Sequence, residues 1–280
     1  MAQEPRPNEP NRDAFEIDRT VAHPARVHNY LAGGDDNFSA DRKLAAYLSE
    51  VLPDGIDTAR TNVMAMGAFM ARSIRYLVHD ADVQQFLYIG APIPSAEEVH
   101  EVAQKANSGS RVVYVGNDPL VLAHAHKRRE AGPLGATAYV HGTLRDVEGI
   151  LQQAAATLDF DQPIAIMFIA TLALVPDRYD PQGIVARLLA AVPPGSHLVI
   201  AHTTNDIPIA GMAESAERFE QMLSVPYVVR NHAEVSRFFD GLDLVEPGVV
   251  PVDRWHPDDP AAVDEDAFPI PIYGAVGRKP

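Results

Sequence analysis

The chain has no cysteine among its 280 residues, which excludes disulfides, zinc–thiolate centres, iron–sulfur clusters and a thiol nucleophile. Positive charge is scarce too: 23 Lys and Arg stand against 38 Asp and Glu, for a net charge of -15. Such a surface has no surplus of cations to displace counterions from a phosphate backbone, so no nucleic-acid partner is expected. Long hydrophobic runs are missing. The longest, IAIMFIATLALV at 164–175, is too short to cross a bilayer and reads as a buried strand, so no membrane partner is expected either. The opening MAQEPRPNEPNRD is polar and proline-rich with no apolar segment of a signal peptide. Residues 1–18 therefore read as a disordered tail, and the protein as cytoplasmic. There is no HExxH pair, no Walker-type phosphate loop and no group of acids at metal-ligand spacing, so no metal is expected.

What is present is an alternation of strands and helices. Two helices are expected first, at 40–52 and 57–79, the second capped by Asp57 or Thr58 and carrying Ala65, Phe69, Ile74 and Leu77 near helical spacing. Strands follow at 84–90, 111–116, 136–141, 164–170 and 196–202, with helices between them at about 95–106, 119–130, 146–157 and 180–192. Asp180 and Pro181 are a strong start signal for the last of these. Further helices are expected at 208–223 and at 232–240, where Asn231 and Glu234 form a cap pair. Two strand-like segments, 242–252 and 270–278, close the chain around an acidic, proline-rich loop. The fold class that results is α/β: a seven-stranded, mostly parallel sheet ending in an antiparallel hairpin, with an N-terminal helical cap. Residues 19–80 form the cap and 81–280 the sheet domain.

The first strand and turn, QQFLYIGAPIPS at 84–95, look altered for a ligand-binding role. A nucleotide-type domain carries an acid on this strand and two or three glycines in the turn, so that backbone N–H groups can approach the ligand. Here Tyr88 stands in place of the acid, and Gly90 is followed by Ala91 and Pro92. Tyr88 either stacks on a flat substrate or is a buried strand tyrosine with a satisfied hydroxyl. His202, at the end of the fifth strand, lies at the edge where open α/β sheets bind substrates and is the candidate general base. His124 and His126, two apart on a helix, point to different faces and make a poor metal pair.

The segment HPARVHNYLAGGDDNFSADR at 23–42 resembles the N-terminal signature of the actinobacterial S-adenosyl methyltransferase family, formerly a domain of unknown function. ARTN at 59–62, VHEVAQ at 99–104, RVVYVGNDPLVLAHA at 111–125, LRD at 144–146, DPQGIVARLL at 180–189, LVEPGVVPVDRW and the terminal YGAVGRKP extend the likeness almost end to end. The resemblance implies a Rossmann-like sheet of the class I methyltransferases. S-adenosyl-L-methionine (SAM) would bind at the carboxyl ends of the first two strands, with the N-terminal helices closing over it.

By the same resemblance His23, Arg26, Tyr30, Asn37 and Asp41 cap the site, unless Asn37 and Asp41 merely cap helices. Gly33 and Gly34 would let that loop bend, and Arg60 and Asn62 match the family near the start of the long helix. His100, in VHEVAQ, is expected to pack or cap. The resemblance assigns cofactor binding to Tyr30, Asn37, Asp41, Arg60 and Asn62 of the cap together with a rim of Tyr88, Gly90, Ala91, Pro92, Gly116, Asn117, Asp118, Gly142 and Thr143.

Five family positions on that rim are changed: Tyr88 and Gly116 replace aspartates, Gly90-Ala91-Pro92 replaces a Gly-Thr-Gly-like turn, Gly142 replaces an acid, and Ala173 replaces a histidine. Asp118 either substitutes for the acid missing at 116 or caps the helix that follows it. Two functions are therefore expected. One is a SAM-dependent methyltransferase with an altered cofactor pocket, acting on a small molecule. The other is a protein of that fold which no longer uses SAM and serves as a binding module or for another reaction.

Overall fold

A computed structural model describes residues 17–90, 93, 98–121, 136–223, 225–259 and 269–280. Ala91, Pro92, Ser95, His124, His126, residues 122–130 of an expected helix and most of the expected tail lie outside the described residues.

Period-two alternation in apolar strands builds a sheet buried on both faces. In β1 (Gln85–Ile89), Phe86 and Tyr88 enter one core while Leu87 and Ile89 enter the other. The same division holds in β2 (Arg111–Gly116), β4 (Ala165–Ile169) and β5 (His197–Thr203), and β3 (Thr137–His141) lies at the edge. These five strands pair in parallel. β6 (Asp243–Leu244), β7 (Val250–Pro251) and β8 (Ile272–Arg278) complete the sheet, in the order β3-β2-β1-β4-β5-β8-β6 with β7 also on β8.

The antiparallel end of the sheet is as expected, with one correction: the strand foreseen at 242–252 is two short pieces. Gly248 N–H donates to the Val245 carbonyl (2.9 Å), and the turn it closes lifts the chain off β8 between β6 and β7.

Three helices precede the sheet: α1 (Pro24–Leu31), α2 (Ser39–Val51) and α3 (Ile56–His79). α1 was not foreseen. The long helix starts one residue earlier than expected, with Gly55 at its N-cap, and the Thr58 hydroxyl bonds the Pro53 carbonyl instead of capping. α3 is pinned to the end of the chain. Arg72 donates to the carbonyls of Trp255 (2.9 Å) and Val252 (2.5 Å), and the buried Trp255 ring meets Phe69 and Tyr76 edge-on.

Further helices include α4 (Val99–Ala106), α5 (Val147–Ala154), α6 (Pro181–Ala190), α7 (Met212–Leu223) and α8 (His232–Ser236). The foreseen caps are present: Asp180 accepts from Gly183 N–H (3.0 Å), and Asn231 and Glu234 bond each other's amides (2.9 and 2.8 Å). Cap helices and sheet share one apolar core, in which Val27, Leu44 and Phe69 join Phe86 and Val199. No helix among the described residues is long and apolar enough to cross a membrane.

Candidate active site

The carboxyl ends of β1, β2 and β4 open into a cavity of about 840 Å³ roofed by α1, α3 and α7. Its volume is that of a small-molecule site. Tyr88 lines the cavity, and register sets two further tyrosines beside it, because Tyr88, Tyr114 and Tyr139 are direct neighbours across β1, β2 and β3. The Tyr114 and Tyr139 rings stack at 4.8 Å, and Tyr88 tilts against Tyr114 at 5.9 Å. Tyr88 reaches the cavity, and burial pushes its hydroxyl well above its usual pKa, so the expected carboxylate position holds a neutral ring.

Gly90 turns the chain at φ +80°, and a Cβ there would collide with the side chain of Thr171. Thr171 in turn donates its hydroxyl to the Ile89 carbonyl (2.7 Å). Ala170 beside it holds φ +62°, a left-handed conformation uncommon for a residue with a Cβ. Both line the cavity at the end of β4.

Gly116, Asn117, Asp118, Gly142 and Thr143 all line the strand side of the cavity, as the sequence reading placed them together. Among the described lining residues Asp118 is the only acid, and its carboxylate is engaged. Arg26 Nε donates to Oδ2 at 2.9 Å, and Leu120 N–H donates to Oδ1 at 2.7 Å. His23 Nδ1 stands 3.1 Å from Oδ2 and 3.3 Å from the Ala25 amide, so its tautomer decides whether it donates to the carboxylate or caps α1. Burial holds His23 below its usual pKa, while Asp118 pulls it up and Arg26 pushes it down. Of the two roles expected for Asp118, the cap on the following turn is the one its contacts show, and its other oxygen anchors α1 through Arg26.

The other cap residues divide. Asp41 is fully buried and accepts from the amides of His23 (2.9 Å) and Phe38 (2.7 Å), which ties the starts of α1 and α2 together. Asn37 donates to the Gly34 carbonyl and to Asn29 Oδ1 on α1 and accepts from Arg42 on α2, so its bonds stay within the cap. Tyr30 packs against the core without lining the cavity. Arg60 is exposed, 3.7 Å from Asp57, in a surface pair of small energetic weight. Asn62 does line the cavity, and its Oδ1 is buried with no hydrogen-bond partner.

His202 is fully buried and is not among the lining residues, although Thr203 beside it is. Arg230 Nη1 lies 2.9 Å from His202 Nε2. Arginine cannot accept, so Nε2 accepts and Nδ1–H donates to the Thr203 carbonyl (2.8 Å). Burial, then the Arg230 charge, holds this imidazole at about 4, against a bond to the Thr203 carbonyl that pulls the other way. Arg230, itself buried, also donates to the carbonyls of Leu172 (2.9 Å) and Val175 (2.8 Å) and to Asp177 (2.7 Å). It clamps the turn after β4.

His100 packs as expected, with its amide and Nδ1 both 2.9 Å from the Tyr114 hydroxyl. The structure does gather Glu98, His100 and Glu101 with ligand atoms within 4.8 Å, a grouping the spacing did not flag. These groups have other work: Glu98 and Glu101 form the capping box of α4.

Sequence reasoning expected the N-terminal helices over the site and named Asn62 but missed other residues of the roof. His28 on α1 and Ser215 on α7 line the cavity, as do Phe219 and Tyr227, whose hydroxyl bonds Thr203 (2.9 Å). The only sequence signal for any of these was His28's place inside the N-terminal signature.

The sequence model of one family, described as S-adenosyl methyltransferase, matches residues 10–280. Two solved structures are similar over nearly the whole chain. A DUF574 family protein from Streptomyces avermitilis is 38% identical, with 95% of this chain and 100% of that one covered and a TM-score of 0.87. A Thermobifida fusca protein, provisionally assigned as a methyltransferase, is 32% identical, with 94% and 96% covered and a TM-score of 0.85. No curated protein matches.

Proposed function

The chain belongs to the S-adenosyl methyltransferase family, and from that premise we propose that it methylates a small molecule held in the cavity between sheet and cap. SAM is the cofactor that membership brings, and when bound it supplies an electrophilic methyl group. The observation that carries the proposal is the continuity of one cavity from the strand ends to an apolar roof, which gives cofactor and acceptor a common enclosure.

The cavity suits the cofactor in volume and in place. Gly90, Gly116, Asn117, Gly142 and Thr143 are the residues assigned to hold it, with Tyr88 below and residues 19–80 acting as cap over the domain of 81–280. One contact differs in kind. With Gly116 bare and Asp118 bound to Arg26, the ribose has no free carboxylate and is assigned to the neutral groups of Asn117 and Thr143. Losing charge-assisted bonds of about 1.5–3 kcal/mol each weakens affinity by about one to three orders of magnitude. His202 is assigned a positioning role, holding Arg230 and through it the turn after β4.

Isothermal titration of SAM and S-adenosylhomocysteine tests this directly. Binding in the micromolar range is expected, strengthened at least tenfold by Gly116→Asp. Absence of binding up to millimolar concentrations, in both parent and variant, would overturn the cofactor assignment and leave a protein that keeps the fold for another purpose.

A further inference from the structure

The roof of the cavity carries three polar atoms with nothing to bond. Ser215 Oγ on α7, Asn62 Oδ1 on α3 and His28 Nδ1 on α1 are each buried without a hydrogen-bond partner, and all three residues line the cavity. Ser215 is only 5% exposed. Around them the wall is apolar, with Leu31, Leu48, Val63, Met66, Phe219 and Val225 among the lining residues. An unpaired polar atom in such surroundings is penalised, and folded proteins leave few of them unless a ligand or water completes the bond. Here three of them, from three separate helices, belong to residues that line one enclosure. The neighbouring loop behaves differently: Asn37 engages both ends of its amide within the cap.

We propose that this roof is the acceptor-substrate subsite, and that it recognises an uncharged, largely apolar molecule carrying at least one hydroxyl or amine N–H. The proposal rests on the methyltransferase reading, to which it adds the substrate class. Asn62 Oδ1 can only accept, so its complement is a donor on the ligand. Ser215 can donate or accept and suits the oxygen of the same or a second polar group. Among the described residues, α1, α3 and α7 contribute no charged side chain to the lining that could pair with a carboxylate, a phosphate or an ammonium; the charged lining residues Asp118, Arg145 and Arg178 come from the loops after β2, β3 and β4. His28 gives no exception, because burial brings its pKa down to about 4 and leaves the ring neutral near pH 7. An ionic ligand would bring an unpaired charge into an apolar wall.

Three probes of one shape separate these terms: 2-naphthol, naphthalene and 2-naphthoate, titrated calorimetrically into the full chain. 2-Naphthol is expected to bind about tenfold more tightly than either of the others. Ser215→Ala and Asn62→Leu should each lower 2-naphthol affinity by roughly three- to tenfold, leave naphthalene unchanged or tighter, and not lower the melting temperature. Equal affinity for the three probes, or no measurable binding of any, would overturn the proposal. So would a drop of several degrees in either variant, since it would show a structural bond at that atom. S-adenosylhomocysteine titrated in parallel keeps the two readings apart. If it binds while the naphthol preference is absent, the subsite is wrong and the cofactor reading stands. A naphthol preference without S-adenosylhomocysteine binding upholds the ligand class but overturns the site's role as an acceptor subsite, because it removes the cofactor.

Discussion

The Arg26–Asp118 pair offers the sharpest test of how the cap is held on the sheet. The two groups are 4% and 1% exposed and lie 92 residues apart in sequence, with Nε 2.9 Å from Oδ2. Arg26 Nη1 also donates to the Asp18 carbonyl at 2.8 Å, and the guanidinium lies over the Phe38 ring. Removing one member of such a pair leaves a buried charge uncompensated, at a cost of about 3–5 kcal/mol. The lower end applies here, because Asp118 keeps the Leu120 amide and Arg26 keeps the Asp18 carbonyl. Arg26→Met and Asp118→Asn should therefore each destabilise by about 3 kcal/mol, or roughly 6–12 °C in melting temperature for a chain of this size. The double variant removes both charges while Asn retains the oxygen that caps Leu120, so it should lose only about 1–2 kcal/mol.

Urea unfolding followed by circular dichroism measures all three variants, and raising salt from about 0.05 to 0.5 M should change the pair's coupling little, as befits a buried interaction. Nuclear magnetic resonance of His23 gives an independent reading. Burial is the main cause of its lowered pKa, and Arg26 lowers it further, so Arg26→Met should move that pKa upward. A double variant less stable than both single ones would refute the reasoning, because it would show that the two side chains stabilise the fold separately rather than by neutralising each other.

Stability should fall as the solution is acidified below pH 6.5. His197 and His202 are held neutral at about 4 by burial, so the unfolded chain binds more protons than the folded one between about 4 and 6.5, and each should remove roughly 2 kcal/mol by pH 5; urea midpoints that stay flat from pH 7 to 5 would contradict this. Gly90→Ala places a Cβ at φ +80° against Thr171 and should cost about 1–3 kcal/mol together with S-adenosylhomocysteine binding, as read by melting temperature and titration. Arg230→Met strips the bonds to Leu172, Val175, Asp177 and His202, for an expected loss of about 3–5 kcal/mol. His202→Gln should lower stability while retaining S-adenosylhomocysteine binding; loss of turnover at parental stability would restore His202 as a base.

Strands were legible because each buried strand is a short apolar run between turn residues, and RVVYVG at 111–116 is found at its expected bounds. The helices at 180 and 231 were legible from Asp180-Pro181 and Asn231-Glu234, whose caps form between near neighbours. Local signals failed where long-range contacts decide. α1 offers few apolar positions, and it is held by Asp41 and Asp118 from 18 and 92 residues away. The strand at 242–252 kept its apolar pattern on paper, yet the Pro247-Gly248 turn breaks its ladder.

The site divides along the same line. Gly90, Gly116, Asp118 and Gly142 share a rim because the topology of parallel α/β sheets brings strand ends together, which sequence order already encodes. Ser215 and His28 carry no such signal. A serine or histidine on an amphipathic helix is ordinary, and only the packing of α1, α3 and α7 reveals that their polar atoms are buried and unpaired. The altered turn QQFLYIGAPIPS drew attention to the strand side, where the acid that remains is already bound to Arg26. Among the described lining residues, the buried polar atoms left without a partner are instead those of Ser215, Asn62 and His28 under the helical roof. On the methyltransferase function proposed above, the changes at Tyr88 and Gly116 would weaken recognition of the cofactor's ribose, and they lie on strands that contribute none of the roof's lining residues.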